Sequence, residues 1–575
     1  MAVVYLRRLH GWRFVLFNAV LGLSHIVVLF NAGSYIALLP HVSGDLGGVL
    51  PSFLTWAQTD FMVGLALGFP LARYLSGRIG DYRLLIGAFM VYSVASYLCG
   101  DSQTLAQFVP ARIVQGIAGG ITLPIAQSML LNEYPKRLKA VALTVWGLFS
   151  ITPFTIGMPV GGYIAYMLGW RFLFYLDFVL TLVIVGTLAA LLYGRGFRRR
   201  SARFDLVGFV LLAVLLLGLQ TLLNMGNDFD WLDSPFLQAI AVVLLVAFPC
   251  FVIWELGERH PTLDLRLFMH RNFVIGVISL TLGFFSIQGL LSLLIVQIQL
   301  ILGYSSKLAG LALLPLVLLG APAIAVMHIL CKYIDARWLI CLNSLGFAWT
   351  FYWLGLYDDP HSYEELFWPM LVEGIFLGSF FTPVTVLTLH GLSGPLIMRA
   401  AEVANLLRVA AGAFGITFQG IVLFRRIHFH QLHLADHFGG RQSISFDPMG
   451  QLTAKLSAAG LSQAQIQAKL GLLIRQEAAI LGLNDAFLVA SVLFVGLGIL
   501  VWFAHPTHLP VAPAPADELR AARAAEAIEE VPCCCVSRPG ADCGSYSGSA
   551  ARFSSAVVPG SRKGINRRNI SRRLK

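Results

Sequence analysis

Charge is what this chain has least of. Only 12% of its 575 residues are Asp, Glu, Lys or Arg, against 57% hydrophobic residues and a mean hydropathy of +0.74. A soluble domain carries about 25% charged residues, so the composition excludes an ordinary soluble protein and predicts an all-α polytopic membrane protein. Phosphate loops are missing as well: no GxxxxGK[ST] occurs, which removes ATP hydrolysis by that device. No HExxH or GxSxG stands on a plausible helix or turn, so no enzyme chemistry is expected from those constellations. The cysteines form no secreted framework. Cys99, Cys250, Cys331 and Cys341 lie in or beside apolar runs, and Cys533, Cys534, Cys535 and Cys543 lie near the C-terminus without a second Cys or His pair to close a metal site. His428, His430, His433 and His437 likewise lack a closed ligand set and read as an ordinary polar segment. The net charge of +11 does not point to nucleic acid, because the basic residues sit in short segments between apolar runs.

Those runs are what the chain does have. A helical span needs about 20 apolar residues, and fourteen candidates lie near 14–39, 53–74, 82–100, 105–130, 140–163, 170–193, 205–224, 235–254, 272–300, 308–330, 338–356, 366–389, 402–424 and 484–504. An even count puts both termini on one side. With that side cytoplasmic, the inner segments hold Arg78, Arg83, Lys136, Arg137, Arg198, Arg199, Arg200, Lys332 and Arg337 among others. The short outer loops hold only Lys307, beside the acids Asp228, Asp230, Asp233, Asp358, Asp359, Glu364 and Glu365. This asymmetry predicts an inner-membrane protein with both termini cytoplasmic. The first run, Phe14 to Leu39, spans without a cleavage site, so no signal peptide is expected.

Two segments depart from the short-loop pattern. Residues 425–483 form a long outer loop, with an amphipathic helix expected near Leu461 to Ile480. Residues 505–575 are Pro/Ala-rich, then Ser/Gly/Arg-rich, and are expected to be a disordered cytoplasmic tail.

Within the spans, Arg112 stands out, because an intramembrane charge is a functional hypothesis by default. Its neighbours in sequence offer no counter-charge, so its partners must come from other helices. Glycines recur at four-residue spacing, Gly64 with Gly68, Gly116 with Gly120 and Gly157 with Gly161, which lets helices approach closely. Pro159 lies among the last of these and allows a kink.

Several runs carry a resemblance. Arg112-Ile113-Val114-Gln115-Gly116 is similar to an RxxQG motif, and Gly157-Met158-Pro159-Val160-Gly161-Gly162 resembles GPxxGG. The WRFLFYLD run from Trp170 to Asp177 resembles the segment that follows that motif. Thr55 to Phe61, leading to Arg78-Ile79-Gly80-Asp81, resembles a second span and its cytoplasmic turn, and Lys332 to Arg337 is similar to the repeat of that turn. TLHGL at 388–392 and the series Asn405, Arg408, Gly412, Gly415 resemble later spans. Together these resemble the major facilitator superfamily, specifically the fourteen-span drug:proton antiporters of the EmrB/QacA type, over residues 14–504. Departures are Asn31 where the family usually has an acid, Arg73 where a small glycine opens the turn motif, and the displacement of proline to Pro159.

The resemblance implies two six-helix bundles plus two extra helices: 1–193, then a basic linker with the extra pair at 194–255, then 256–504, before the tail. It implies alternating access driven by the proton gradient, without a cofactor, and efflux of small amphipathic or aromatic compounds. Because the first-span acid is missing, the proton-coupling candidates become Asp60, Glu373 and Glu402 with Arg112, and Asp60 is expected within about 6 Å of Arg112; a fixed ion pair is the structural alternative. Asp177 aligns with a family asparagine, and a helix-start or interface role is expected of it. Motif and gate candidates are Arg78, Gly80, Asp81, Gln115, Gly116, Gly157, Gly161, Gly162, Asp335, Arg337, Asn405 and Arg408. Asn31, Tyr35, Gln58, Gln127 and Trp146 are candidates to line a substrate cavity. The expected partners are the small-molecule substrate and the lipid bilayer, with a periplasmic adaptor and an outer-membrane channel implied by the resemblance alone. The alternatives are an uncoupled facilitator or exporter of one metabolite or siderophore and, from another class, a non-transporting scaffold or sensor.

Overall fold

A computed structural model describes residues 11–47, 51–134, 139–192, 204–300, 303–356, 363–438 and 448–507. The expected basic linker and nearly all of the C-terminal tail lie outside these. Where a chain is this apolar, backbone N–H and C=O groups must be satisfied within each segment, so long helices result.

The first set comprises α1 (Trp12–Asp45), α2 (Pro51–Ile79), α3 (Asp81–Asp101), α4 (Leu105–Glu133), α5 (Lys139–Leu168) and α6 (Trp170–Leu192). Two further helices follow, α7 (Leu206–Gly226) and α8 (Pro235–Gly257). The second set comprises α9 (Arg271–Leu300), α10 (Ser306–Ala312) and α11 (Leu314–Leu330), α12 (Ala336–Leu354), α13 (Tyr363–Leu389), α14 (Pro395–Phe438), α15 (Pro448–Ala458) and α16 (Gln463–Leu500). Eleven segments among the described residues are long and apolar enough to cross a membrane, with α10 and α11 counted together as one. Helices α2, α5 and α12 stand where three other spans are expected but are not among the eleven.

The two sets repeat one packing pattern. In the first, α1 packs on α5, α2 on α4 and α3 on α6; in the second, α9 packs on α14, α11 on α13 and α12 on α16. Such internal repetition is the architecture of many secondary transporters. The sets meet through α2 with α14, α5 with α10 and α11, and α1 with α9.

Glycine decides how close the seams are. A Cβ on Gly116 would lie 2.1 Å from the Phe61 carbonyl oxygen, and one on Gly64 2.6 Å from that of Ile113; Gly68 and Gly120 close the same α2/α4 seam one turn further on. Gly157 and Gly161 meet Phe30 and Ser34 of α1, while Gly162 meets the Ser306 carbonyl across the two sets. The predicted close approaches are therefore real, and Gly162 sits on the seam between the halves.

Within the expected outer segment 425–483, the described residues are largely helical, and residues 439–447 lie outside the described ones. Helix α14 continues unbroken to Phe438, and α16 begins at Gln463, capped by Ser462 with Gln465 in a capping box, and runs through to Leu500. The stretch expected as a separate amphipathic helix is the first half of α16. Arg426 Nε donates to Asp485 Oδ2 at 2.6 Å and His430 Nε2 lies 2.7 Å from the same oxygen, so the two long helices are tied side by side.

Candidate functional site

Arg112, on α4, is fully buried. Its guanidinium carbon lies 4.4 Å from the Tyr35 ring centre, 4.3 Å from that of Phe61 and 5.5 Å from that of Phe174. Nη1 donates to Asn31 Oδ1 at 2.6 Å and to Gln115 Oε1 at 2.7 Å, Nη2 to Gln58 Oε1 at 3.2 Å, and Nε to the Ala57 carbonyl at 3.3 Å. A second layer fixes those acceptors: Gln115 Nε2 donates to Ser96 Oγ at 2.7 Å and Gln58 Nε2 to the Ala32 carbonyl at 2.8 Å. Asn31 turns its amide nitrogen the other way and donates to Asp177 Oδ2. The cation and the acid are thus joined through one amide, in a site held by α1, α2, α3, α4 and α6.

This corrects the expected partner. Asp60 is buried on α2 but makes no hydrogen bond or ion pair among the described residues. Ala57, Gln58 and Phe61 present one face of α2 to Arg112; with 3.6 residues per turn, Asp60 lies about 100° around the helix from Phe61. The acid in the network is Asp177, which lies in the buried interior of α6 and not at its start. Asn31 does not leave a gap where an acid is usual, but bridges to an acid one helix further away.

The cavity candidates are placed as follows. Asn31, Tyr35 and Gln58 are engaged around Arg112, and Gln127 is half-buried on α4. Trp146 on α5 packs against His25 of α1 with ring centres 4.4 Å apart. Glu373 on α13 is buried with Oε1 unpartnered, in the second set.

Of the expected gate residues, those in the two turns pair within their own halves. Gly80 takes a positive φ of 90° between α2 and α3, and Asp81 accepts from Ser76 on the adjoining turn. Arg78 stacks on Tyr74 at 5.4 Å. Asp335 caps α12 and pairs with Arg337 at 3.2 Å, and Arg337 donates to the Ala504 carbonyl. Burial would raise the Asp335 carboxyl, but the Arg337 backbone N–H, its guanidinium and Thr507 together hold it below the usual carboxylate range.

The ion pair that crosses the halves is one that sequence reasoning missed. Arg73 Nη1 donates to Glu402 Oε2 of α14 at 3.0 Å, while Nη2 donates to the carbonyls of Pro261 and Thr262 at 3.0 and 3.3 Å. Arg73 is visible in the sequence as an arginine at a glycine position; its complement, an acid entering the later span, was the signal that could have joined them. Asn405 and Arg408 lie one and two turns further along α14.

The family model described as Major Facilitator Superfamily matches residues 21–416. The chain is 31% identical over 491 residues to the fatty acid resistance protein FarB of Neisseria gonorrhoeae, covering 84% of this chain and 95% of that protein. It is 29% identical over 500 residues to the multidrug export protein EmrB of Escherichia coli (strain K12), covering 87% and 96%. Among solved structures, an auto-inhibited POT family peptide transporter matches with a TM-score of 0.55 at 14% identity, covering 87% of this chain and 99% of that one. The inward-open xylose transporter XylE of E. coli matches with a TM-score of 0.52 at 12% identity, covering 88% and 99%. The structural matches establish the fold, and the repeated helix pairing agrees with them; with the family model covering most of the chain, this multi-pass membrane protein belongs to the Major Facilitator Superfamily.

Proposed function

We propose that this chain exports small amphipathic or aromatic compounds across the bacterial inner membrane in exchange for protons, by alternating access, through fourteen spans with both termini cytoplasmic. The similarity to proteins named for multidrug export and fatty acid resistance supports export. The division at 1–193, 194–255 and 256–504 and a periplasmic adaptor with an outer-membrane channel belong to the same proposal.

The observation that carries proton exchange is the buried Arg112–Asn31–Asp177 chain. An ionised Asp177 offsets the Arg112 charge through the Asn31 amide. A proton on Asp177 leaves that cation uncompensated and frees Asn31 to turn, which alters the hold on α1. Helix α1 in turn touches the other half, where Gln299 Nε2 of α9 donates to the Ala37 carbonyl at 3.4 Å. Proton occupancy is thereby linked to the contact between halves. Asp60 and Glu373 are secondary carriers in this scheme, and Glu402 acts at the gate.

The test is reconstitution: protein in liposomes with an imposed pH difference should accumulate an aromatic dye against its gradient. An uncoupled facilitator, which the amide at position 31 favours as the alternative, would equilibrate the dye and stop. No movement in either condition would leave a non-transporting scaffold.

Arg73 supplies a second test. Its pair with Glu402 has side chains 39% and 22% exposed, so the ion pair alone contributes only about 0–1 kcal/mol. With the two carbonyl bonds also lost, Arg73→Gln should shift the halves towards opening at that end by roughly two- to tenfold. Spin-label distances across the cytoplasmic ends of α2 and α14 would report it, and an unchanged distribution would remove Arg73 from the gate.

A further inference from the structure

A second arginine has no counter-ion among the described residues. Arg408 lies on α14, which packs on α9 and α13 of its own half and on α2 of the other. Its guanidinium carbon is 5.1 Å from the Phe284 ring centre and 5.2 Å from that of Phe381, and the two rings stand edge to face 5.7 Å apart. Three distances of this size form a nearly equilateral triangle, so both rings lie to one side of the guanidinium. Its Nε is buried with no hydrogen-bond partner, and Arg408 makes no ion pair among the described residues. From the first half, His25 stands within electrostatic reach, with Trp146 packed on it. One turn along α14, Gly412 brings Met62 of α2 and Phe284 together.

The contrast with Arg112 is informative. Arg112 spends four hydrogen bonds on fixed protein acceptors, whereas Arg408 is half-buried and its Nε is left unmatched. A buried N–H without an acceptor is costly to maintain, and a half-buried planar fork of donors beside an aromatic wall is complementary to a carboxylate on an apolar body.

We propose that Arg408 is the anion-recognition residue of the transport path, and that the exported compounds are amphipathic monoanions. Their carboxylate pairs with the Arg408 fork, and their apolar body lies along Phe284, Phe381, Met62 and Trp146. This rests on the export function proposed above and names the class of compound for it. It also gives the halves a reason to close, because the ligand's charge is held by α14 while its body touches Met62 of α2 and Trp146 of α5 in the other half.

The experiment uses the full chain in nanodiscs, with radiolabelled dodecanoate as the probe and unlabelled dodecanoate or dodecanamide as competitor, corrected against empty nanodiscs. The wild type should prefer the carboxylate over the equally long neutral amide by about tenfold or more. Arg408→Gln should bring that ratio to about one, and Arg408→Lys, which keeps a point charge but loses the fork, should retain part of it. A wild type without the preference overturns the proposal, as does an Arg408→Gln protein that keeps it. Should Arg408→Gln fail to elute as folded protein, the wild-type ratio and its reduction in Arg408→Lys decide the matter; a ratio undiminished by lysine overturns the proposal. Carboxylate preference in a protein that moves no compound under a pH difference would sink the export function and leave the anion site standing.

Discussion

Asp177→Asn is expected to end proton-driven accumulation while leaving downhill exchange intact. Each unit of pH difference supplies about 1.4 kcal/mol per exchanged proton, a tenfold concentration ratio. For one proton exchanged per molecule of compound with the membrane potential clamped at zero, about two pH units should let the wild type build a roughly hundredfold gradient, and the variant should settle near unity. Asparagine preserves the size of the side chain and can accept from the Asn31 amide, but cannot release a proton. The matching control is Asp60→Asn, which lies outside the Arg112 network and should keep most of the gradient. If the two variants behave in the opposite way, the carrier is Asp60 and the Arg112–Asn31–Asp177 chain is structural.

The reason Asp60 was the favoured acid in the sequence, and Asp177 is in the structure, is a matter of azimuth. Sequence spacing gives depth along a span, and both acids sit at a depth comparable to Arg112. It does not give the rotation of one helix relative to another, which is set by the glycine seams. Gly64 and Gly68 fix α2 against Gly116 and Gly120 of α4, and that register points Ala57, Gln58 and Phe61, not Asp60, at the arginine. The glycines themselves were legible because only a residue without a Cβ permits such approach, and the spacing of four marks one helix face. Arg112 was legible because a charge in an apolar run is costly unless partnered. In the segment 425–483 the expected helix near 461–480 is present, but that it continues without a break into the last span was not legible from its polar residues.

The two extra helices were legible only as apolar runs, and the structure adds how one of them is attached. Gln220 and Asn224 of α7 are buried; Gln220 Nε2 donates to Thr417 Oγ1 of α14 at 2.7 Å, Thr417 Oγ1 to Asn224 Oδ1 at 2.7 Å, and Asn224 Nδ2 to Thr59 Oγ1 of α2 at 3.2 Å. Helix α7 therefore bridges α2 and α14, the same pair joined near its other end by Arg73 and Glu402. Polar side chains between membrane helices contribute about 0.6 kcal/mol each on average, so this bridge is weak enough to be remade when the halves move. Nothing in the periodicity of α7 distinguishes Gln220 from an ordinary polar residue; its partner on α14, Thr417, lies 197 positions away.

Arg112→Met is expected to lower stability more than any other single change in this region. The long apolar side chain can fill the space between Tyr35, Phe61 and Phe174, but Asn31, Gln58 and Gln115 lose their shared donor and Asp177 loses the cation that offsets it. Removing one member of a buried charge arrangement costs about 3–5 kcal/mol, readable as a fall in the midpoint of thermal unfolding in detergent. Arg112→Lys should recover little, because one ammonium cannot reach four acceptors spread over α1, α2 and α4. Adding Asp177→Asn to Arg112→Met should recover part of the loss, since the uncompensated acid is then gone, and the two changes should depart from additivity by about 0.5–3 kcal/mol in the rescuing direction. Strict additivity would mean that Asp177 does not feel Arg112 through Asn31, and the link between proton occupancy and the α1 contact would fail with it, while the anion site at Arg408, whose charge sits on α14, would be untouched.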